Sequence, residues 1–173
     1  LDDLYLGSGG GSGGVAIESG EFYGTAVSGS GGDGGGAVYL NGYNLSVSGQ
    51  IAANGEKGRR GRIHNESSYG VTVYAGGGGG GSGGSIKIHG YDVNLRSGSV
   101  INASGDYGGK TTWGQKNTEY GCCKGTGGGG RISTSYGKYE VSGTLDVAGG
   151  NLGTTYETAG YPGNHTITDA RLE

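Results

Sequence analysis

A phrase made of glycines, a short alternating strand and a second strand ending in Ser-Gly or Ala-Gly recurs along this chain. Its closest copies occupy residues 29–55, 81–105 and 127–150. Recurrence at a fixed period indicates one structural unit built several times. Without that period, a chain in which 47 of 173 residues are glycine would be read as disordered low-complexity sequence. The repeat therefore predicts an ordered structure made of similar units.

One apolar strand position marks each copy of the repeat. Its occurrences are Ala16, Val38, Ile63, Ile86 and Ile132. The gaps between them are 22, 25, 23 and 46 residues, and the last gap is twice 23. The most similar copies stand 48 and 46 residues apart, so a pair of phrases is the alternative unit. A marker is missing near residues 109–110, where the alternation is lost, and we expect an irregular loop there.

The phrases have the pattern of strands. Ile86 and Ile88 flank Lys87, and the other copies show the same alternation, which is typical of half-buried strands. Like strands that recur at one short spacing favour parallel stacking with right-handed crossovers. We therefore predict an all-β fold, a parallel β-helix (β-solenoid) with 22–25-residue coils, glycine-rich corners and one irregular Cys-containing loop.

Two consecutive stretches carry a family resemblance. Residues 81–88 read Gly-Ser-Gly-Gly-Ser-Ile-Lys-Ile, and residues 97–105 read Ser-Gly-Ser-Val-Ile-Asn-Ala-Ser-Gly. This phrase resembles the glycine-rich parallel β-helix repeats of secreted and cell-surface proteins in the pectin-lyase-like superfamily, which include adhesins and extracellular fibre proteins. The resemblance covers roughly residues 7–150 and implies an extracellular or cell-surface location, and we predict that residues 1–150 form the glycine-rich β-helix. Residues 151–173 then form an irregular cap or a linker to a following segment.

The composition limits the partners. Hydrophobic residues make up 31% of the chain, which suits a thin core shared between neighbouring units. A net charge of -3, with only 16% charged residues, argues against nucleic acid as a partner. No apolar run approaches the roughly 18 residues that a membrane span requires, so no membrane insertion is expected.

The glycine runs allow two physical explanations. Tight corners need glycine where φ is positive, and closely approaching backbones need it where no Cβ fits. Extended polyproline-II-like strands that stack flat against each other are one arrangement of the second kind.

The acidic residues do not form an aligned pair. Asp92 aligns with Asn44 and lies near Lys138 in the later copy, whereas Asp146 aligns near Ala52. A glycosidase needs two converging carboxyl groups, so we predict no catalytic residues and no enzymatic activity. The histidines also lack the spacing of a metal site, and we expect neither a metal nor a cofactor. They are His64, His89 and His165.

Two features suggest a secreted chain. Asn-X-Ser/Thr triplets, the acceptors of N-glycosylation, are more frequent than chance predicts. They begin at Asn44, Asn65, Asn102 and Asn164. We expect Asn44 to project outward, and parity with Val100 predicts that Asn102 turns inward. The adjacent Cys122 and Cys123 form a vicinal disulfide, bridge to other chains or stay reduced, and secretion favours the oxidised forms.

Tyrosine is unusually abundant, with 13 residues against one Phe and one Trp. Tyrosine combines a large contact area with a polar tip, which suits sugar stacking and subunit contacts. The predicted contact surface consists of Tyr39, Tyr43, Tyr91, Trp113 and Tyr120.

These patterns favour a non-enzymatic extracellular structural glycoprotein, a building block of a fibre, surface appendage or matrix that self-associates into an oligomer or filament. One alternative is a glycan-binding adhesin or phage-type receptor-binding tip, for which a polysaccharide is the partner. The other is a polysaccharide lyase or hydrolase.

Overall fold

The computed structural model describes residues 4–17, 21–69, 72–113, 118–120, 125–150 and 161–169. All regular structure in these ranges is β-strand, and no helix among them could cross a membrane. The strands are β1 Val15–Ile17, β2 Glu21–Val27, β3 Ala37–Val47, β4 Gln50–Ala52, β5 Arg62–Tyr69, β6 Val73–Ala75, β7 Ser85–Leu95, β8 Val100–Asn102, β9 Thr111–Trp113, β10 Thr118–Tyr120, β11 Arg131–Val141, β12 Thr144–Asp146 and β13 Asn164–Asp169.

The long strands form a parallel four-stranded sheet in the order β13-β11-β7-β3. Val38 on β3 pairs with Ile86 on β7, which pairs with Ile132 on β11. Copies of the phrase that are 48 and 46 residues apart are therefore direct neighbours, which confirms the alignment of these three residues.

The main core lies between this sheet and a second parallel sheet of order β12-β8-β4. In the smaller sheet Ile51, Ile101 and Leu145 occupy one row. Ile101, together with Ile88 and Val93 of β7, is fully buried. Burying a side chain of this size stabilises the fold by about 1.5 to 3 kcal/mol.

Between the neighbouring strands β3, β7 and β11, the chain runs out and back through two antiparallel glycine-rich segments. In one such pair, the Gly78 and Gly81 amides donate hydrogen bonds to the Arg59 and Glu56 carbonyl oxygens at 2.9 and 2.8 Å. Bonds at every third residue are typical of the polyproline II conformation, which has three residues per turn. The pairs between these strands are residues 53–61 with 76–84 and 103–110 with 125–130, and a similar pair, residues 7–14 with 28–36, precedes β3.

Residues 76–84, the central segment, lie inside a bundle of such segments. Eight of its backbone N–H groups donate to described residues of neighbouring segments, and successive residues face different neighbours in rotation. Five segments surround it. They are residues 8–14, 29–35, 53–59, 106–109 and 125–128. Pairing in several directions satisfies the buried backbone without a conventional sheet.

Close approach of backbones explains the glycines of the central segment. A Cβ on Gly78 would overlap the Ser30 carbonyl oxygen, and one on Gly81 would overlap that of Asp33. Among the described residues, positive φ occurs at Gly98 alone, at 84°. The glycine runs are therefore straight packed segments, and the predicted glycine-rich corners are wrong.

Two antiparallel sheets lie at the far ends of these segments. They have the orders β1-β6-β9-β10 and β2-β5, and the buried residues Ile63, Val73 and Ala75 form a small second core. The stretch predicted as an irregular loop contains β9 and β10, which pair with each other.

The predicted parallel β-helix with 22–25-residue coils is wrong. Ala16 and Ile63, which that spacing placed in one row with Val38, pair antiparallel with Tyr74 and Ala26 in the outer sheets. The physical reason is the pairing of the glycine segments, which turns the chain back on itself instead of winding it. Four separate sheets result, and 46 to 48 residues separate neighbouring strands of the parallel sheet.

The tail contributes one strand to the parallel sheet. β13, within the predicted cap or linker, pairs with β11 from Arg131 to Tyr136. Residues 151–160 lie outside the described ranges.

Candidate functional site

Parallel, in-step pairing places outward side chains of the four-stranded sheet in rows. Tyr39 and Lys87 share one row, and Asn41, His89 and Ser135 share the next. Because each row crosses several strands, residues 46 to 48 apart in sequence become neighbours on one surface. We call this surface the outer face.

Two tyrosine rings stack at the middle of the outer face. The centroids of Tyr43 and Tyr91 are 4.9 Å apart and their planes differ by 10°. The exposed fractions are 71% and 55%, so most of each side chain remains in contact with solvent. The inward and outward alternation shifts here, and both Tyr43 and Asn44 are exposed. The pair is held by strand register rather than by burial.

A shallow hollow of about 420 Å³ lies beside these rings. Its lining combines the two phenols with the Asn41 amide and the His89 imidazole. Such aromatic and hydrogen-bonding groups suit contact with a sugar or with another protein surface. The hollow is open, so it favours an extended partner over an enclosed small molecule.

The β3 edge of the sheet is uncovered within the described ranges. β3 is the last strand in its sheet, and its inward residues Val38 and Leu45 are only partly buried. Their row partners on β7, Ile86 and Val93, are at most 1% exposed. Core side chains at this edge therefore remain accessible to a partner.

The opposite end of the core is half covered. Among the described residues, β13 pairs with β11 as far as Tyr136, and Val141 at the end of β11 is 40% exposed. Tyr139 stacks on Tyr136 at 4.6 Å and 21°. Burial raises the pKa of the Tyr139 hydroxyl above its ordinary value of 10.0, and the Thr134 hydroxyl offsets part of that shift. Tyr139 is thus neutral and part of the core rim.

The structure divides the predicted contact surface. Tyr39, Tyr43 and Tyr91 lie together on the outer face. Trp113 lies on β9 in another sheet, opposite Thr118. Tyr120 lies on β10, and its side chain is outside the described part of the chain.

The sequons occupy different environments. Asn44 and Asn164 are exposed. Asn102 does share a face with Val100, but that face is outward, because Ile101 between them is fully buried; the expected inward orientation is wrong. The Asn102 side-chain oxygen accepts the Ser104 N–H at 2.9 Å. The Asn65 side chain is not among those that the structure describes.

The disulfide prediction finds no support in the structure. Cys122 and Cys123 are the chain's only cysteines, and both lie outside the described residues. The described residues therefore contain no disulfide.

The acidic residues follow the register that the alignment predicted. Asp92 pairs with Asn44 and Lys138, whereas Asp146 lies in the other parallel sheet. In the described ranges, no three His, Cys, Asp or Glu side chains are close enough together to hold a metal ion.

Sequence reasoning missed Asn41 and His89 as members of the contact surface. The signal was available, because the 48-residue alignment that pairs Val38 with Ile86 also pairs these two residues.

Comparison of the chain with protein-family models, curated proteins and solved structures finds no match to any of them.

Proposed function

We propose that the chain is a non-enzymatic extracellular structural protein that assembles with further copies of itself through the two ends of its parallel sheets. The observation that carries the proposal is a pair of core ends that no other described residue covers, at β3 with β4 on one side and at the end of β11 with β12 on the other. Both ends leave apolar core residues partly exposed.

The two ends are compatible in register. β3, β7 and β11 repeat one inward pattern in parallel, so β3 of a second copy can continue the sheet at Lys138–Val141 of β11, which no described residue of β13 pairs with. Pairing between different ends is heterologous, and a heterologous contact that does not close produces a filament. Exposed strand edges are the usual template for such addition.

The glycine segments supply the rigidity that a structural role requires. Their backbones hydrogen-bond to several neighbours, so bending one segment disturbs the others. The exposed sequons at Asn44 and Asn164 fit an extracellular setting.

Electron microscopy and sedimentation of the full chain test the assembly. We expect filaments or concentration-dependent oligomers from the unmodified chain, and their loss in Val141→Lys, which places a charge at the uncovered end. Ile17→Lys is the matched control, since Ile17 is 52% exposed on β1, away from both ends. The Val141→Lys variant keeps an intact β3 end, so it can still bind to the β11 end of an unmodified copy. Adding this variant to the unmodified chain is therefore expected to stop growth and shorten the filaments. A monomer at every concentration would overturn the proposal.

A second candidate function is glycan binding through the hollow beside Tyr43 and Tyr91, supported by the Asn41 and His89 groups that line it. A glycan array probed with monomeric Val141→Lys separates the two functions. Retention of a glycan that is lost on Tyr91→Ala would support this candidate, and no retention would exclude it.

A further inference from the structure

A group of cations surrounds a surface cavity of about 650 Å³, at the far end of the glycine segments from the outer face. Its charged lining consists of Lys57, Arg59, Arg60, Arg62 and Lys110. These are five of the 12 Lys and Arg residues in a chain whose net charge is -3. No acidic residue is among the described residues that line the cavity. We call this cavity the basic pocket.

The polyproline II period creates this concentration of charge. In residues 54–61, Gly55, Gly58 and Gly61 face the bundle and are buried, while the residues between them are exposed. Lys57 and Arg60 belong to one outward row, about 9 Å apart at 3.1 Å per residue. The same segment thus buries glycine and displays cations at a fixed spacing.

A neighbouring segment adds a parallel row. The Gly55, Gly58 and Gly61 amides donate to carbonyl oxygens of residues 104, 107 and 110 at 2.9, 3.0 and 3.2 Å. Tyr107 therefore lies beside Lys57, whose Nζ is 3.2 Å from the phenol oxygen and 4.3 Å from the ring centroid.

Three residues further along, the Gly61 amide donates to the Lys110 carbonyl oxygen, so Arg60 lies beside Lys110 at the wall of the basic pocket. Arg62 follows on β5, and the Arg59 amide is fixed by a 2.8 Å hydrogen bond to the Ser30 carbonyl oxygen. The backbone positions that carry the cations are therefore set before a ligand binds. A backbone fixed in this way removes the cost of ordering the segment, so that only the side chains are ordered on binding.

We propose that the basic pocket binds an anionic polysaccharide, in which carboxylate or sulfate groups on neighbouring sugars contact the Lys and Arg side chains that line it. Guanidinium groups form bidentate hydrogen bonds with such oxyanions. The phenol of Tyr107, next to the rows, offers an aromatic surface to a sugar ring.

Charge around the pocket favours a polysaccharide over a nucleic acid. Glu56 lies one turn from Arg59, about 9 Å along the segment. Asp33 lies beside Glu56, because the Glu56 amide donates to the Asp33 carbonyl oxygen at 2.8 Å. A phosphate backbone needs a longer continuous basic surface than this.

Calorimetry on the full chain at low ionic strength tests the proposal with size-defined heparin oligosaccharides, polygalacturonate oligosaccharides and neutral dextran. We expect binding of at least one anionic series and none of dextran, with affinity that falls as salt is added. The heparin and polygalacturonate arms distinguish sulfate from carboxylate recognition. Equal binding of dextran, or tighter binding of an oligodeoxynucleotide of equal charge, would overturn the proposal.

Charge-removing variants locate the site. Arg59→Gln with Arg62→Gln is expected to weaken binding roughly tenfold or more, because two charged hydrogen-bond donors are lost. The matched control is Arg96→Gln with Lys138→Gln, which removes the same charge outside the pocket and is expected to change affinity less than about twofold. If both double variants weakened binding equally, the effect would come from net charge alone, and the assignment of the site to the basic pocket would be overturned.

Removal of a neighbouring acid gives a test that loss of folding cannot imitate. Glu56→Gln is expected to tighten binding about twofold at low salt, as Coulomb's law gives for one charge about 9 Å away in water. Unchanged or weaker binding in a folded Glu56→Gln variant would contradict the pocket's position. Because Val141→Lys leaves the basic pocket intact, repeating the titration in that variant separates failure of this inference from failure of self-association.

Discussion

The phenol rings of Tyr43 and Tyr91 stack 4.9 Å apart, although 48 residues separate them in sequence. Their contact follows from strand register, since both occupy the same point of parallel neighbours β3 and β7. The stacking of this pair therefore reports whether β3 and β7 are paired in the correct register.

A double-mutant cycle measures this stacking. Tyr43→Ala, Tyr91→Ala and the double variant are expected to show a coupling free energy of about 0.5 to 1.5 kcal/mol in urea unfolding. The cycle is measured in the Val141→Lys background, which keeps self-association from contributing. Strict additivity of the two single variants would show that the rings do not interact in solution.

The central segment predicts a strong dependence on glycine position. Gly81→Ala is expected to lower the free energy of unfolding by about 3 kcal/mol or more, because its Cβ would overlap a backbone carbonyl that cannot move alone. Gly11→Ala is the matched control, since its Cβ meets no atom within 4 Å. Removing glycine flexibility there is expected to leave stability unchanged or raise it by up to about 1 kcal/mol. Equal effects of the two variants in denaturant unfolding would contradict the close-packed bundle.

The main core predicts a second contrast. Ile88 is 0% exposed, and Ile88→Ala is expected to cost about 2 to 5 kcal/mol because it removes buried surface and leaves a cavity. Ile167, on β13, is 46% exposed, and Ile167→Ala is expected to cost much less. Thermal unfolding of both variants checks the order, and a larger loss at Ile167 would place the core elsewhere.

His165 predicts a pH dependence. Burial lowers its pKa below the ordinary value of 6.5, and its Nε2 is buried without a hydrogen-bond partner among the described residues. The unfolded chain therefore takes up the proton first as pH falls, so stability present above pH 6.5 is lost on acidification through the lowered folded-state pKa.

Thermal midpoints of the unmodified chain and of His165→Gln at pH 8 and pH 5 test this sign. We expect the unmodified chain to lose more stability than the variant between the two values. A larger loss in the variant would show that the charged imidazole is favoured in the folded state.

Sequence alone identified the long strands β3, β7 and β11 and the register between them. The alignment of Val38 with Ile86 and Ile132 became the hydrogen-bonded row of the sheet, because parallel strands pair like residue with like residue. The path between those strands could not be read in the same way. Ala16 and Ile63 match the marker pattern, yet hydrogen bonds among glycine backbones decide their position, and a glycine backbone leaves no side-chain pattern to follow.

The candidate sites show a similar division. Tyr43 and Tyr91 were found because aromatic residues at aligned positions are conspicuous. The basic pocket was missed because a chain average of -3 conceals a local run, although Lys57, Arg59, Arg60 and Arg62 stand within six residues. A count of charge in short windows would have found these cations. Only the polyproline II conformation, with its three residues per turn, shows that they share a surface with Lys110.

The central segment also bears on how the protein responds to temperature. It is largely buried and carries almost no side chains, so its unfolding hydrates peptide groups rather than hydrocarbon. Hydrated hydrocarbon raises heat capacity, whereas hydrated peptide lowers it. The heat-capacity increment per residue is therefore expected to fall below the usual figure of about 12 to 15 cal/mol/K. A smaller increment flattens the stability curve, which would let a glycine-rich fold keep a nearly constant margin of stability from cold to warm conditions.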